Sequence, residues 1–146
     1  SLVIRTSWLY SSFGNNFLKT MLRLGKEKKS LNVIFDQIGT PTYAKDLAKA
    51  CLYILSSSDS EFISKKGKIY HYSNEGVASW YDFAISIMEK AGINCIVNPI
   101  QTKDYSTLAQ RPYYSVLNKN KIKEDFELKI PYWKSSLEEC LKNLKQ

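Results

Sequence analysis

A chain of 146 residues, 44% hydrophobic and 24% charged, has room for one domain with a real core and the balance of an ordinary globular protein. No apolar run reaches the length of a membrane-spanning helix and no basic-then-apolar leader opens the sequence, which sets aside membrane and export readings and leaves a cytoplasmic protein as the expectation. The formal charge of +7 is carried mainly by lysines at helix ends and in loops, with only Arg5, Arg23 and Arg111 as arginines, a solvated surface rather than a nucleic-acid face.

Residues 2–6 read as a buried strand: the apolar Leu2, Val3 and Ile4 run into Arg5, Thr6, Ser7 and Trp8. Asn16 then opens a helix whose stripe is Phe17, Leu18, Met21 and Leu22, with Gly25 and the following lysines marking its end. "LNVIF" at 31–35 is a strand, and "DQIGTPT" at 36–42 is a polar loop ending in Thr42 as an N-cap. The next helix carries Ala44, Leu47, Ala48, Cys51, Leu52 and Leu55 as a core-facing stripe. A solvent loop at 56–67 leads to a strand at 68–73. Ser79 and Asp82 form a capping box for a helix bearing Trp80, Phe83, Ala84, Ile87, Met88 and Ala91, stopped by Gly92. "INCIV" at 93–97 is a strand, 98–112 is irregular, and 113–117 is extended. Asn118 caps a short lysine-rich helix, and a last helix from Trp133 buries Leu137, Cys140, Leu141 and Leu144. Strands alternating with helices give an α/β fold.

The three cysteines, Cys51, Cys95 and Cys140, form no C-x-x-C and read as free thiols in a reducing compartment. The single histidine, His71, has no partners at ligand spacing, so no metal is expected. The chain has no G-x-G-x-x-G, P-loop, H-E-x-x-H or G-x-S-x-G. What remains is polar residues at strand ends. Thr6 and Ser7 offer hydroxyls, and Trp8 offers a flat ring suited to a sugar or nicotinamide, or else a lid over the core. Asn16 stands at a helix start, where N–H groups favour anions, although an ordinary N-cap has the same signature. Gln37 and Thr40 lie in the 36–42 loop, and Arg111 has the planar fork that suits phosphate as well as a surface ion pair.

Four stretches, "RTSWLYSSFGNNFLKTML", "VIFDQIGTPTYAKDLA", "GKIYHYSNEGVASWYDFA" and "AQRPYYSVLNKNKIK", in that order, resemble the C-terminal half of the dTDP-4-dehydrorhamnose reductase branch of the extended short-chain dehydrogenase/reductase family. The resemblance implies the last strands and helices of a Rossmann-like sheet plus a small substrate-binding lobe. It implies reduction of the C4 ketone of dTDP-4-dehydro-L-rhamnose by NADPH or NADH, with a Tyr of a Y-x-x-x-K motif as proton donor. It assigns Trp8, Asn16, Phe17, Gln37, Thr40 and Arg111 to the nucleotide-sugar substrate and Thr6 and Ser7 to the nicotinamide end.

The glycine-rich cofactor turn and the Y-x-x-x-K are absent from this chain, so no catalytic residue is assigned, no cofactor is expected to bind tightly, and a truncated, inactive piece is expected. By the same resemblance, segments 1–12, 43–58 and 67–74 are Rossmann-type, and 13–42 and 75–146 build mainly the substrate lobe. Sheet pieces without their neighbours expose edges and apolar faces, which leaves open pairing as a homo-oligomer or reorganisation. A non-catalytic, reductase-like binding or regulatory subunit is the alternative.

Overall fold

The computed structural model describes residues 2–56, 68–105 and 109–144, and among these eight short strands alternate with five α-helices, the α/β fold that the alternation predicts. The strands make four two-stranded pairings. β1 (Val3–Arg5) runs parallel to β6 (Ile69–His71), with Ile4 opposite Tyr70. β2 (Leu9–Tyr10) runs parallel to β5 (Thr42–Tyr43), and β3 (Ser30–Ile34) parallel to β8 (Ile96–Ile100). β4 (Ile38–Gly39) and β7 (Ala78–Ser79) are antiparallel. Parallel neighbours need long crossovers. Those crossovers carry α1 (Phe17–Glu27), α2 (Ala44–Leu55) and α3 (Trp80–Ala91), while α4 (Asn120–Phe126) and α5 (Trp133–Leu144) follow β8.

The larger apolar cluster centres on α3, whose Phe83, Ala84, Ile87 and Met88 are buried against Leu18 and Met21 of α1, Leu31 and Val33 of β3, and Leu137, Cys140 and Leu141 of α5. Burying each large side chain contributes about 1.5–3 kcal/mol. α3 begins and ends where its sequence says. The Ser79 hydroxyl accepts from the Asp82 N–H at 3.0 Å, the Asp82 carboxylate accepts from the Ser79 N–H at 2.8 Å, and Gly92 closes the helix at φ 67°. A smaller cluster joins Ala50 and Ile54 of α2, Tyr70 of β6, Tyr72, and Ile122 and Phe126 of α4.

Several sequence expectations are corrected. α2 turns Asp46, Ala50 and Ile54 inward and leaves Leu52 and Leu55 about two-thirds exposed, at 67% and 66%. The helix carries apolar residues on two faces, and the hydrogen bonds of Asp46 fix which one faces this chain's core. Val3 and Ile69 are also exposed, on the face of the β1–β6 pair opposite Ile4 and Tyr70. Gly25 does not end α1. It is buried inside the helix, where an added Cβ would lie 2.6 Å from the Met88 sulfur of α3. Thr42 is not an N-cap: it is buried in β5, and Tyr43 takes the cap position without a side-chain bond. The 36–42 segment is not a simple loop, because it contains β4 and the start of β5. β8 lies three residues later than "INCIV", with Pro99 opposite Val33; a two-stranded pair tolerates the missing N–H. Asn118 still accepts from the Asn120 N–H at 2.9 Å, but Lys119 is the residue at the cap. All but the first residue of the 56–67 loop lies outside the described residues.

One buried side chain ties these elements together. The Asn74 Oδ1 accepts from the Tyr43 N–H at 2.8 Å, and its Nδ2 donates to Asp46 Oδ2 at 2.8 Å, to Ser136 Oγ at 2.9 Å and to the Pro131 carbonyl at 3.2 Å. Ser136 Oγ donates in turn to Asp46 Oδ2 at 2.5 Å. The start of α2, the chain after β6 and the first turns of α5 are thereby locked in register. Replacing Asn74 with Ala strands the buried Tyr43 N–H and leaves the buried Asp46 carboxylate with the Ser136 hydroxyl alone, so Asn74→Ala is expected to lose about 1–3 kcal/mol in urea unfolding; a loss below about 0.5 kcal/mol, the scale of ordinary surface changes, would contradict the role given to it.

Candidate functional site

Backbone pairing assembles the site. The β2–β5 ladder continues one step back, with the Thr42 N–H donating to the Trp8 carbonyl at 3.0 Å, so Trp8 is fixed where β1 hands over to β2. The antiparallel β4–β7 pair sets Gly39 opposite Ala78 and Ile38 opposite Ser79, so Trp80, the first residue of α3, directly follows the residue paired with Ile38. The Trp8 and Trp80 rings stack face to face, with centroids 3.6 Å apart and planes 7° from parallel. Phe17, the first residue of α1, tilts against Trp80 at 4.7 Å and stacks on Phe83 at 5.5 Å. Trp8 adopts φ 49°, a left-handed conformation unusual for a bulky residue.

These rings wall an open cavity of about 580 Å³, within the usual range for a small-molecule site. Met21, Val33, Ile34 and Phe83 supply an apolar floor, and Asn32, Gln37, Tyr105 and Arg111 supply the polar groups. The segment after Arg111 is fixed on β4. The Ile38 N–H donates to the Tyr113 carbonyl at 2.7 Å, and the Ser115 N–H donates back to the Ile38 carbonyl at 2.8 Å. Arg111 is exposed, and its guanidinium presents a planar fork of donors.

Four of the substrate residues named from sequence, Trp8, Phe17, Gln37 and Arg111, line this cavity together. Gln37 is buried, and its Nε2 donates to Thr102 Oγ1 at 3.2 Å. Asn16 is occupied as a cap: its Oδ1 accepts from the Lys19 N–H at 3.2 Å, and its Nδ2 donates to the Ser11 carbonyl at 2.8 Å. Thr40 is fully buried and donates to the Gly76 carbonyl at 2.7 Å. Neither Asn16 nor Thr40 lines the cavity. Thr6 is exposed beside β1, and the Ser7 hydroxyl is buried with no hydrogen-bond partner. Sequence reasoning places Trp80 on the core stripe of a helix and misses it as a site residue. The available signal is the repeated pairing of serine with tryptophan, Ser7–Trp8 and Ser79–Trp80.

The described residues hold no cluster of three or more metal-ligating side chains. The three cysteines are free, and burial pushes the Cys140 thiol up to about 11 and the Cys51 thiol up as well, away from thiolate chemistry. A nicotinamide dinucleotide needs a glycine-rich turn at a helix N-terminus. Among the described residues the helices start after Asn16, Tyr43, Ser79, Lys119 and Tyr132, none of them within such a turn. These residues do not fit a dinucleotide clamp by themselves, and no step of its chemistry is assigned to them. No described helix is long and apolar enough to cross a membrane.

Comparison with known proteins agrees along the whole chain. Residues 1–146 match the RmlD substrate binding domain. The chain is 43% identical to a dTDP-4-dehydrorhamnose reductase of Aggregatibacter actinomycetemcomitans, over 94% of this chain and 48% of that protein. It is 42% identical to the spore coat polysaccharide biosynthesis protein SpsK of Bacillus subtilis, over 97% of this chain and 47% of that protein. The fold superposes on a dTDP-4-dehydrorhamnose reductase of Bacillus anthracis crystallised in complex with NADP, with a TM-score of 0.83 and 37% identity over 97% of this chain and 48% of the other. The chain thus spans about half the length of the curated relatives it matches.

At the cavity's edge, the Thr102 hydroxyl donates to Asp36 Oδ1 at 2.6 Å while the Thr102 N–H donates to both carboxylate oxygens, at 2.9 and 3.1 Å. The hydroxyl bond above all holds the Asp36 carboxyl below its ordinary value. A lowered folded-state pKa contributes stability that is complete above the unfolded-state pKa and is lost as pH falls through the folded-state value. Thr102→Val is therefore expected to raise the Asp36 midpoint toward the ordinary carboxylate range in a carboxyl-carbon NMR titration. Its stability deficit against the parent should be largest near neutrality and narrow in acid; an unmoved midpoint would contradict the assignment.

Proposed function

The chain belongs to the RmlD substrate-binding domain family, and on that premise we propose that its aromatic cavity grips a dTDP-linked 6-deoxy-4-keto sugar for a nicotinamide-dependent reductase. The carrying observation is the convergence of Trp8, Trp80 and Arg111 on one cavity of about 580 Å³ in a chain matched by this family from end to end. The indoles offer apolar surface to the deoxysugar. The Arg111 fork suits the diphosphate, and a net charge of +7 favours a dianionic ligand. Thr6 and Ser7 face the nicotinamide end in this reading, and the buried, unpartnered Ser7 hydroxyl supports a polar group arriving there.

The reduction itself, dTDP-4-dehydro-L-rhamnose to dTDP-L-rhamnose with NADPH or NADH, then draws its proton donor and dinucleotide clamp from residues outside this stretch. Alone, these 146 residues bind and orient without reducing. Segments 1–12, 43–58 and 67–74 belong to the Rossmann-type part in this reading, and helices packed on that sheet would cover the exposed faces of Val3 and Ile69.

Calorimetric titration with dTDP-L-rhamnose and with dTDP tests the reading. Arg111→Ala is expected to weaken both ligands about tenfold, and Trp8→Ala to weaken dTDP-L-rhamnose about tenfold while leaving dTDP nearly unchanged, the scale of truncating one well-placed side chain in a binding site. A Trp8→Ala protein that melts early but binds both ligands as the parent does would make the indole a core residue and overturn the proposal.

A further inference from the structure

Three features of Trp8 point the same way. Its backbone sits at φ 49°, a costly conformation for a bulky side chain, and such outliers persist where surrounding structure over-determines them. One face of its ring is taken by Trp80, 3.6 Å away and 7° from parallel. Gly39 then approaches so closely that an added Cβ would lie 2.5 Å from Trp8 Cε2, 2.7 Å from Trp8 Nε1 and 2.7 Å from Ser115 Oγ. The atoms in the way belong to a ring already stacked on one face, so the ring cannot yield as a flexible chain end would.

We infer that Gly39 and Trp80 are positioning residues, which act on the bound sugar by fixing where the Trp8 indole stands in the cavity. The inference rests on the proposed sugar site. Gly39 is otherwise free of any demand for glycine. It lies in an ordinary strand pair opposite Ala78, and its φ is not in the left-handed region. The close approach to Trp8 and Ser115 is the reason a side chain is excluded there. Trp80 likewise spends a ring at the first position of α3, where the capping box alone would hold the helix. The backbone pairings β2–β5 and β4–β7 carry the three residues on separate segments, so the indole's position is set by the register of both ladders.

The test uses the full chain with Gly39→Ala, Trp80→Phe, Trp8→Phe and the double variant Gly39→Ala/Trp8→Phe. Thermal melting, near-ultraviolet circular dichroism, and Kd for dTDP-L-rhamnose and for dTDP are measured on each. Gly39→Ala is expected to reduce the dichroism of the stacked indoles and to weaken dTDP-L-rhamnose about tenfold, within the scale that small misplacements produce. Binding of dTDP should change by less than about twofold, because Arg111 is untouched. In the double variant the smaller ring makes room, so the two losses should fall clearly short of additive. Trp80→Phe retains a ring against Phe17 and should show the same ligand selectivity, which keeps the inference testable if Gly39→Ala does not fold. A Gly39→Ala or Trp80→Phe protein that melts early yet binds dTDP-L-rhamnose like the parent, or that loses both ligands equally, would overturn it. If Trp8→Ala itself leaves dTDP-L-rhamnose binding intact, the sugar site is wrong, and that failure is separate.

Discussion

Two indoles 3.6 Å apart can stay parallel only if the backbones beneath them hold still, and much of the structure around the cavity serves that end. Trp8 is pinned through its carbonyl to β5, and Trp80 is pinned by a capping box whose Ser79 also pairs with Ile38 of β4. β4 in turn anchors the Tyr113–Ser115 segment that leads back to Arg111. A single short strand, Ile38–Gly39, therefore touches both the aromatic and the cationic side of the cavity.

The rigidity has a second source further from the cavity. Asn74 joins α2, α5 and the chain after β6 through buried hydrogen bonds, and the buried Lys119 adds a bond from its Nζ to the Asn74 carbonyl at 3.1 Å. Buried polar networks of this kind specify one arrangement because every alternative strands a donor or acceptor. The α5 helix that the network holds packs its Leu137 and Cys140 into the same cluster as Phe83, which is part of the cavity floor. Global register and local site geometry are coupled through that shared core.

The parts of this picture that local chemistry determines are legible in the sequence. The Ser79–Asp82 capping box, Gly92 as a stop and the periodicity of Phe83, Ala84, Ile87 and Met88 specify α3 without help from elsewhere. Trp8 and Arg111 can be named from the sequence because the family resemblance covers them; by themselves a ring at a strand end and an arginine in a loop fit a core lid and a surface ion pair equally well. Whatever depends on pairing at a distance is not legible. β4 and β7 are two-residue strands with no periodicity to detect, so neither Gly39's seat under Trp8 nor Trp80's place in the wall can be read. The inward face of α2 is hidden from sequence for the same reason. Its apolar stripe is real, but the Asp46–Asn74–Ser136 network rotates the helix, and that network spans 90 residues of sequence.

The three tryptophans offer a direct probe, because two stand in the cavity wall and the third, Trp133, is buried elsewhere in the core. Their indole N–H resonances, assigned by single Trp→Phe substitutions, can be followed while dTDP-L-rhamnose is added. A sugar bound against the paired indoles should shift Trp8 and Trp80 in step along one binding curve and leave Trp133 nearly still. Saturable shifts at Trp133 with Trp8 and Trp80 unmoved, or no shift at any of the three at saturating ligand, would contradict a sugar site at this wall.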